Sequence, residues 1–191
     1  IELCESPIGK QDQYAASFGG LKVYKFNQDD SVSVQSVACN KNTIEKLNEQ
    51  TLVFYIGGER NANEILRQQS VELQQEKKAK GMAKMVDLVW DLKQEFESQS
   101  VENFGPILHE NWLIKRDLSP GVSNSFIDDM YAQGLACGAS GGKLLGAGGG
   151  GFMIFHAATD AIRSKIRARF AKLREVPFEL EQSGSSVILY Q

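Results

Sequence analysis

The order of hydrophobic patterns along these 191 residues predicts an α+β fold in which helices cover one face of a mainly antiparallel sheet. Three observations carry the prediction. An alternating hairpin pattern stands near the start, helical periodicity fills residues 60 to 137, and strands interleaved with a helix follow a run of glycines. At 42% hydrophobic and 24% charged, the chain can bury a real core, and its length suits one domain plus a piece of another.

The elements follow in order. Leu21-Lys22-Val23-Tyr24-Lys25-Phe26 alternates, Asn27-Gln28-Asp29-Asp30 is turn chemistry, and Ser31-Val32-Ser33-Val34 alternates again, which describes a β-hairpin. Leu52-Val53-Phe54-Tyr55-Ile56 is a β-rich run closed by Gly57-Gly58, so it reads as a buried strand ending at a turn. Met82, Met85, Val86, Val89 and Phe96 then recur at helical spacing. Phe104, Ile107, Leu108 and Trp112 do the same, as do Ile127, Met130, Tyr131 and Leu135. Pro106 falls near a helix start, where its missing N–H costs least, and Ser119-Pro120-Gly121 separates two helices. After the glycines, Phe152-Met153-Ile154-Phe155 reads as a strand and Ile162, Ile166, Phe170 and Leu173 mark one helix face. Phe178 and Val187-Ile188-Leu189-Tyr190 are expected to supply two more strands.

A net charge of −3 gives no long-range attraction to nucleic acid or to an anionic membrane. The basic helix with Arg163, Lys165, Arg167, Arg169, Lys172 and Arg174 lacks interleaved aromatics for base stacking and is read as a solvated face. Cys4, Cys39 and Cys137 lie far apart in no metal or disulfide spacing, which suits a reducing cytoplasm. The most apolar stretch, Leu144 to Ala158, is broken by glycines and shorter than the roughly 20 residues that span a bilayer. No secretory leader opens the chain, and the run from Ile1 to Gln11 reads as a chain entered midway.

Gly146-Ala147-Gly148-Gly149-Gly150-Gly151 could be a flexible linker, but linkers carry polar flanks and this run is pressed between apolar strands. Glycine at that density is required where backbone takes positive φ and comes close to something with no Cβ in between, as in phosphate-cradling nests. The spacing matches neither the dinucleotide fingerprint nor the Walker loop, so by itself it indicates only a tight turn with room for a ligand.

The stretch Lys143-Leu144-Leu145-Gly146-Ala147-Gly148-Gly149-Gly150-Gly151-Phe152 resembles the third motif of the GHMP kinases, a group that includes galactokinase, homoserine kinase, mevalonate kinase and phosphomevalonate kinase. Gly9-Lys10-Gln11-Asp12-Gln13-Tyr14 and Leu108-His109-Glu110-Asn111-Trp112-Leu113-Ile114-Lys115-Arg116 resemble the D-glycero-D-manno-heptose 7-phosphate kinases within that group, and the likeness runs from Gly9 to Tyr190. The resemblance implies that residues 1–45 are the tail of an N-terminal domain and 46–191 the family's C-terminal α+β domain. It implies Asp12 as the catalytic carboxylate facing the sugar hydroxyl, and Lys10, Gln13, Tyr14 and Arg60 as substrate-binding residues. Gly146, Ala147, Gly148, Gly149 and Gly150 would support the nucleotide phosphates. Unaided, the residues give Asp12 only the reading of a cap or turn carboxylate, and leave Arg60 open between a phosphate grip and an exposed helix start.

The activity implied is ATP-dependent phosphorylation of the anomeric hydroxyl of a heptose 7-phosphate, with ATP and Mg2+ as cofactors and a sugar phosphate as small-molecule partner. Neither nucleic acid nor membrane is a default partner, and a homodimer stays open. The family's Pro-x-x-x-Gly-Leu-(Gly/Ser)-Ser-Ser phosphate loop is not found in these residues, and Gly138-Ala139-Ser140-Gly141-Gly142 lacks the pattern. The chain by itself is therefore expected to be inactive, with metal ligands coming mainly from a preceding part. Two alternatives stand beside this reading: a catalytically silent binding or assembly module, and a kinase for a fucose or galactose type of sugar.

Overall fold

A computed structural model describes residues 9–58, 67, 76–186 and 188. Among them, helix α1 (Gln11–Phe18) leads into a two-stranded antiparallel hairpin, β1 (Lys22–Phe26) and β2 (Val32–Ser36). Helix α2 (Lys41–Gln50) then runs straight into β3 (Thr51–Gly57). Three helices follow, α3 (Glu76–Glu97), α4 (Phe104–Arg116) and α5 (Ser125–Ala136), before β4 (Gly141–Leu144), β5 (Gly151–His156), α6 (Asp160–Arg169) and β6 (Arg174–Val176). The second sheet has the order β4-β5-β3-β6 with every neighbouring pair antiparallel.

Strand alternation divides the core in two, because successive side chains leave a strand on opposite faces. Leu52, Phe54 and Ile56 of β3 join Met153 and Phe155 of β5 in one cluster, with Ile127, Met130 and Tyr131 of α5 and Ile166 of α6. Val53 and Ile154 point the other way, into a cluster with Leu47 of α2, Phe96 of α3 and Phe104 of α4. Helices thus cover both faces of the sheet, where the sequence led us to expect one. Three helix starts are capped as their residues dictate: the side chains of Asn40, Asn124 and Thr159 accept from the backbone N–H three residues on.

Other expectations are corrected. Phe178 lies outside any strand: β6 stops at Val176 because Pro177 has no N–H for the ladder, although Val176 and Phe178 still pack on the second cluster. Of the expected final strand, only Ile188 is among the described residues, and it is exposed. Helix α3 buries Leu88 and Phe96, while Val86 and Val89 of the expected stripe face outward. A helix with two apolar stripes can turn only one inward. Arg163 is likewise buried rather than solvated, donating to the Ala157 carbonyl at 3.1 Å and to Glu49 at 2.7 Å. No helix among the described residues is long and apolar enough to cross a membrane.

Candidate active site

The glycine run is the loop that joins β4 to β5, closed where Leu145 N–H donates to the Phe152 carbonyl at 2.8 Å. Its backbone adopts φ values closed to most side chains: 119° at Gly148 and 73° at Gly149. Close approach adds a second reason for glycine. A Cβ on Gly148 would sit 2.7 Å from Val122 Cα, and Gly149 N–H donates to the Val122 carbonyl at 3.0 Å. On the other flank, Gly150 Cα lies 3.1 Å from where a Cβ on Gly58 would stand. The turn is therefore wedged between the α4–α5 connection and the end of β3.

Helix α4 runs alongside β4 and reaches this turn with its basic end. Near the start, Gly105 and Gly141 touch so closely that a Cβ on Gly141 would overlap the Gly105 carbonyl. Further along, the Lys143 ammonium donates to Asn111 Oδ1, and Lys115 of α4 donates to the carbonyl of Gly146. Burial pushes the Lys143 ammonium down to about 8, since removal from water disfavours the charged form. The sequence places Lys115, Arg116 and Lys143 within family-like stretches but assigns none of them a contact with the turn. No sequence pattern marks Lys143, because its bond to Asn111 depends on α4 lying along β4.

Asp12 belongs to a different unit. It lies in the first turn of α1, exposed, where a carboxylate also complements the helix dipole. Lys10 stands 3.9 Å from Asp30, and the Gln13 amide lies within 3.1 Å of the Lys10 carbonyl. Tyr14 stacks on Phe18, with Tyr24 and Phe26 edge-on around it. Beside this helix a cavity of about 430 Å³ is lined by Gly9, Lys10, Gln11, Phe26, Asn27 and the turn residues Asp30 and Ser31.

The structure brings Lys10, Gln13 and Tyr14 together around α1, and Gly146, Ala147, Gly148, Gly149 and Gly150 together with Lys115 and Val122. The cavity at Lys10 receives nothing from the glycine turn. What ties the units together is the C-terminal tail: Ser185 N–H donates to Ala16, Gly20 N–H donates to Glu181, and Leu180 N–H donates to Asn48 of α2. Arg60 lies outside the described residues. Among the described residues no group of three or more His, Cys, Asp or Glu is placed to hold a metal ion.

At the far end of the sheet, His156 is buried with both ring nitrogens engaged. Nδ1 lies 2.6 Å from Ser140 Oγ, and Nε2 lies 3.0 Å from Gln50 Oε1. An amide oxygen only accepts, so Nε2 carries the proton and Nδ1 accepts from Ser140. Burial holds the ring below its ordinary range, so it sits there neutral and in a structural role.

Residues 92–172, which contain α4, Lys143 and the glycine turn, match the family model described as GHMP kinases C terminal. The chain is 30% identical, over 147 residues and 77% of its length, to the D-glycero-alpha-D-manno-heptose 7-phosphate kinase of Campylobacter jejuni. It is 27% identical over 172 residues, 87% of its length, to the bifunctional fucokinase/GDP-fucose pyrophosphorylase of Arabidopsis thaliana. Its fold is similar to that of the D-glycero-D-manno-heptose 1-phosphate kinase of Bacteroides thetaiotaomicron, with a TM-score of 0.63 over 96% of this chain at 24% identity. The chain spans 43%, 16% and 49% of these proteins, respectively.

Proposed function

We propose that this chain is the C-terminal part of a sugar kinase that transfers the γ-phosphoryl group of ATP to the anomeric hydroxyl of D-glycero-D-manno-heptose 7-phosphate. The observation that supports it most is the glycine turn, wedged between Val122 and Gly58 and shouldered by Lys115 and Lys143. Backbone with positive φ beside cations suits a polyphosphate. The heptose substrate is supported by the name of the Campylobacter relative.

In this reading residues 1–45 are the tail of an N-terminal domain and 46–191 the C-terminal domain, with α2 running across the boundary. Asp12 orients the acceptor hydroxyl and takes its proton as the new P–O bond forms and ADP leaves. Lys10, Gln13, Tyr14 and Arg60 hold the sugar phosphate, and Gly146 to Gly150 back the nucleotide phosphates. Phosphoryl transfer is mostly positioning and charge neutralisation, so one carboxylate does not suffice and the remaining donors belong to the rest of the protein. MgATP is the substrate form, and the described residues supply no metal cluster of their own. A cytoplasmic setting follows from the supply of ATP.

The test is a panel of sugars and sugar phosphates incubated with the full-length protein and ATP, with products resolved by mass. A heptose bisphosphate is expected. The Arabidopsis relative's fucokinase name supports the alternative of a fucose-type acceptor, and a fucose phosphate in the same panel would establish it. No phosphorylated sugar at all, with an intact fold, would leave the silent binding module.

A further inference from the structure

We propose that Ser140 is a nucleophile, with His156 as its general base, that takes an acyl group from a small polar ester held in the cavity beside it. The pair lies at the end of the sheet away from the glycine turn, so the proposal stands apart from the sugar-kinase reading. Ser140 precedes β4 and His156 closes β5, and strand pairing pins both. Gly141 sits opposite His156, and Ser140 N–H donates to the His156 carbonyl at 3.0 Å. Ser140 is exposed and His156 is buried, so a hydroxyl open to solvent rests on an imidazole held in the core.

Three features give this pair a role beyond the structural one. Gln50 Oε1 fixes the ring proton on Nε2, which leaves the Nδ1 lone pair to accept from Ser140 Oγ at 2.6 Å. A serine needs that hydrogen bond, to a base poised near neutral pH, in order to lose its proton during attack. The first turn of α4 also lies against the hydroxyl: a Cβ on Gly105 would overlap Ser140 Oγ. The positive end of that helix therefore stands where negative charge develops in acyl transfer. Finally, a cavity of about 360 Å³ opens on Ser140 and His156, with Lys46, Gln50, Gln99 and Glu102 among its walls. Its size suits a small molecule, and its polar walls suit a short polar acyl group better than a fatty chain. In the reaction, Ser140 Oγ passes its proton to His156 Nδ1 as it bonds to the acyl carbon. The carbon–oxygen bond to the alcohol then breaks, and the alcohol leaves with that proton. Water repeats the sequence: it gives a proton to Nδ1 and attacks the acyl carbon, and Ser140 departs with the proton as a free hydroxyl.

The experiment incubates the 191-residue chain at neutral pH with a small alkyl fluorophosphonate, which bonds stably to an activated serine oxygen and expels fluoride. Each serine is then read by peptide mass. Ser31 is the internal reference, since it is also exposed and hydrogen-bonded, but to the Asp29 carboxylate at 2.6 Å, a much weaker base than imidazole. Ser140 is expected to label about a hundredfold faster than Ser31, and a rate no higher than that of Ser31 overturns the proposal. His156→Gln should bring Ser140 down to the Ser31 rate, and a folded variant that labels as fast as the unaltered chain overturns it too. Should that variant fail to fold, the ratio of the two serines in the unaltered chain decides alone. Release of p-nitrophenolate from p-nitrophenyl acetate tests the acyl step. Ser140→Ala should lower that release about tenfold, and undiminished release contradicts the assignment.

Discussion

The two halves of the proposed site are held in opposite ways. The glycine turn is over-determined: strands on both sides, the Val122 backbone on one flank, Gly58 on the other and Lys115 from α4. Helix α1, which carries Asp12, buries none of its residues, exposes Phe18, and is laced down by backbone bonds to the tail. Rigid backing suits the part that cradles charge, whose catalytic worth lies in not having to reorganise. A lightly packed helix suits the part that meets the acceptor. Substitutions in the first region should therefore cost stability, and substitutions in the second should cost activity with the fold intact.

The largest effect is expected in the lightly packed half. In the full-length protein, Asp12→Asn should lower kcat by about a thousandfold. In the 191-residue chain the same change should alter unfolding free energy by less than about 0.5 kcal/mol, because the carboxylate is exposed. Denaturant melts and steady-state kinetics check both, and near-normal turnover removes Asp12 from its role. In the rigid half, Gly141→Ala should destabilise by about 3 kcal/mol, since the methyl must displace the Gly105 carbonyl. Gly148→Ala should cost about 2 kcal/mol through its φ of 119° and the Val122 contact. A stable Gly148→Ala protein would show the turn to be less constrained than its geometry states.

The smallest effect is a pH dependence. His156 titrates lower in the folded chain than its ordinary value of 6.5, so the unfolded chain binds its proton more readily. The stability it contributes is full above that ordinary value and is lost as pH falls below it, toward the folded value. Urea melts at pH 7.5 and pH 5.5 should show the loss, and His156→Gln should shrink the difference.

Much of the sheet was legible because its residues obey simple periods. Leu52 to Ile56 and Phe152 to Phe155 read as strands, and they pair with each other in register. The failures have physical causes. Pro177 ended β6 where Phe178 suggested continuation, and α3 had two apolar stripes between which periodicity could not choose. Asp12 read as a turn residue because only the pair Tyr14 and Phe18 marks an apolar side on α1, a short helix that buries none of its residues. The turn's need for glycine was legible from density alone, whereas Lys143's burial was not, since it depends on α4 lying along β4. Arg163 was misread for a similar reason, its partner Glu49 being distant in sequence.

The claim that most needs testing is that Asp12 and the glycine turn serve one phosphoryl group. A crystal structure of the full-length protein with a non-hydrolysable ATP analogue and heptose 7-phosphate measures this directly. The account predicts the Asp12 carboxylate about 3 Å from the anomeric hydroxyl, with Gly146 to Gly150 backing the phosphate chain. A ternary complex with Asp12 remote from the sugar, or with the turn facing no phosphate, would contradict it.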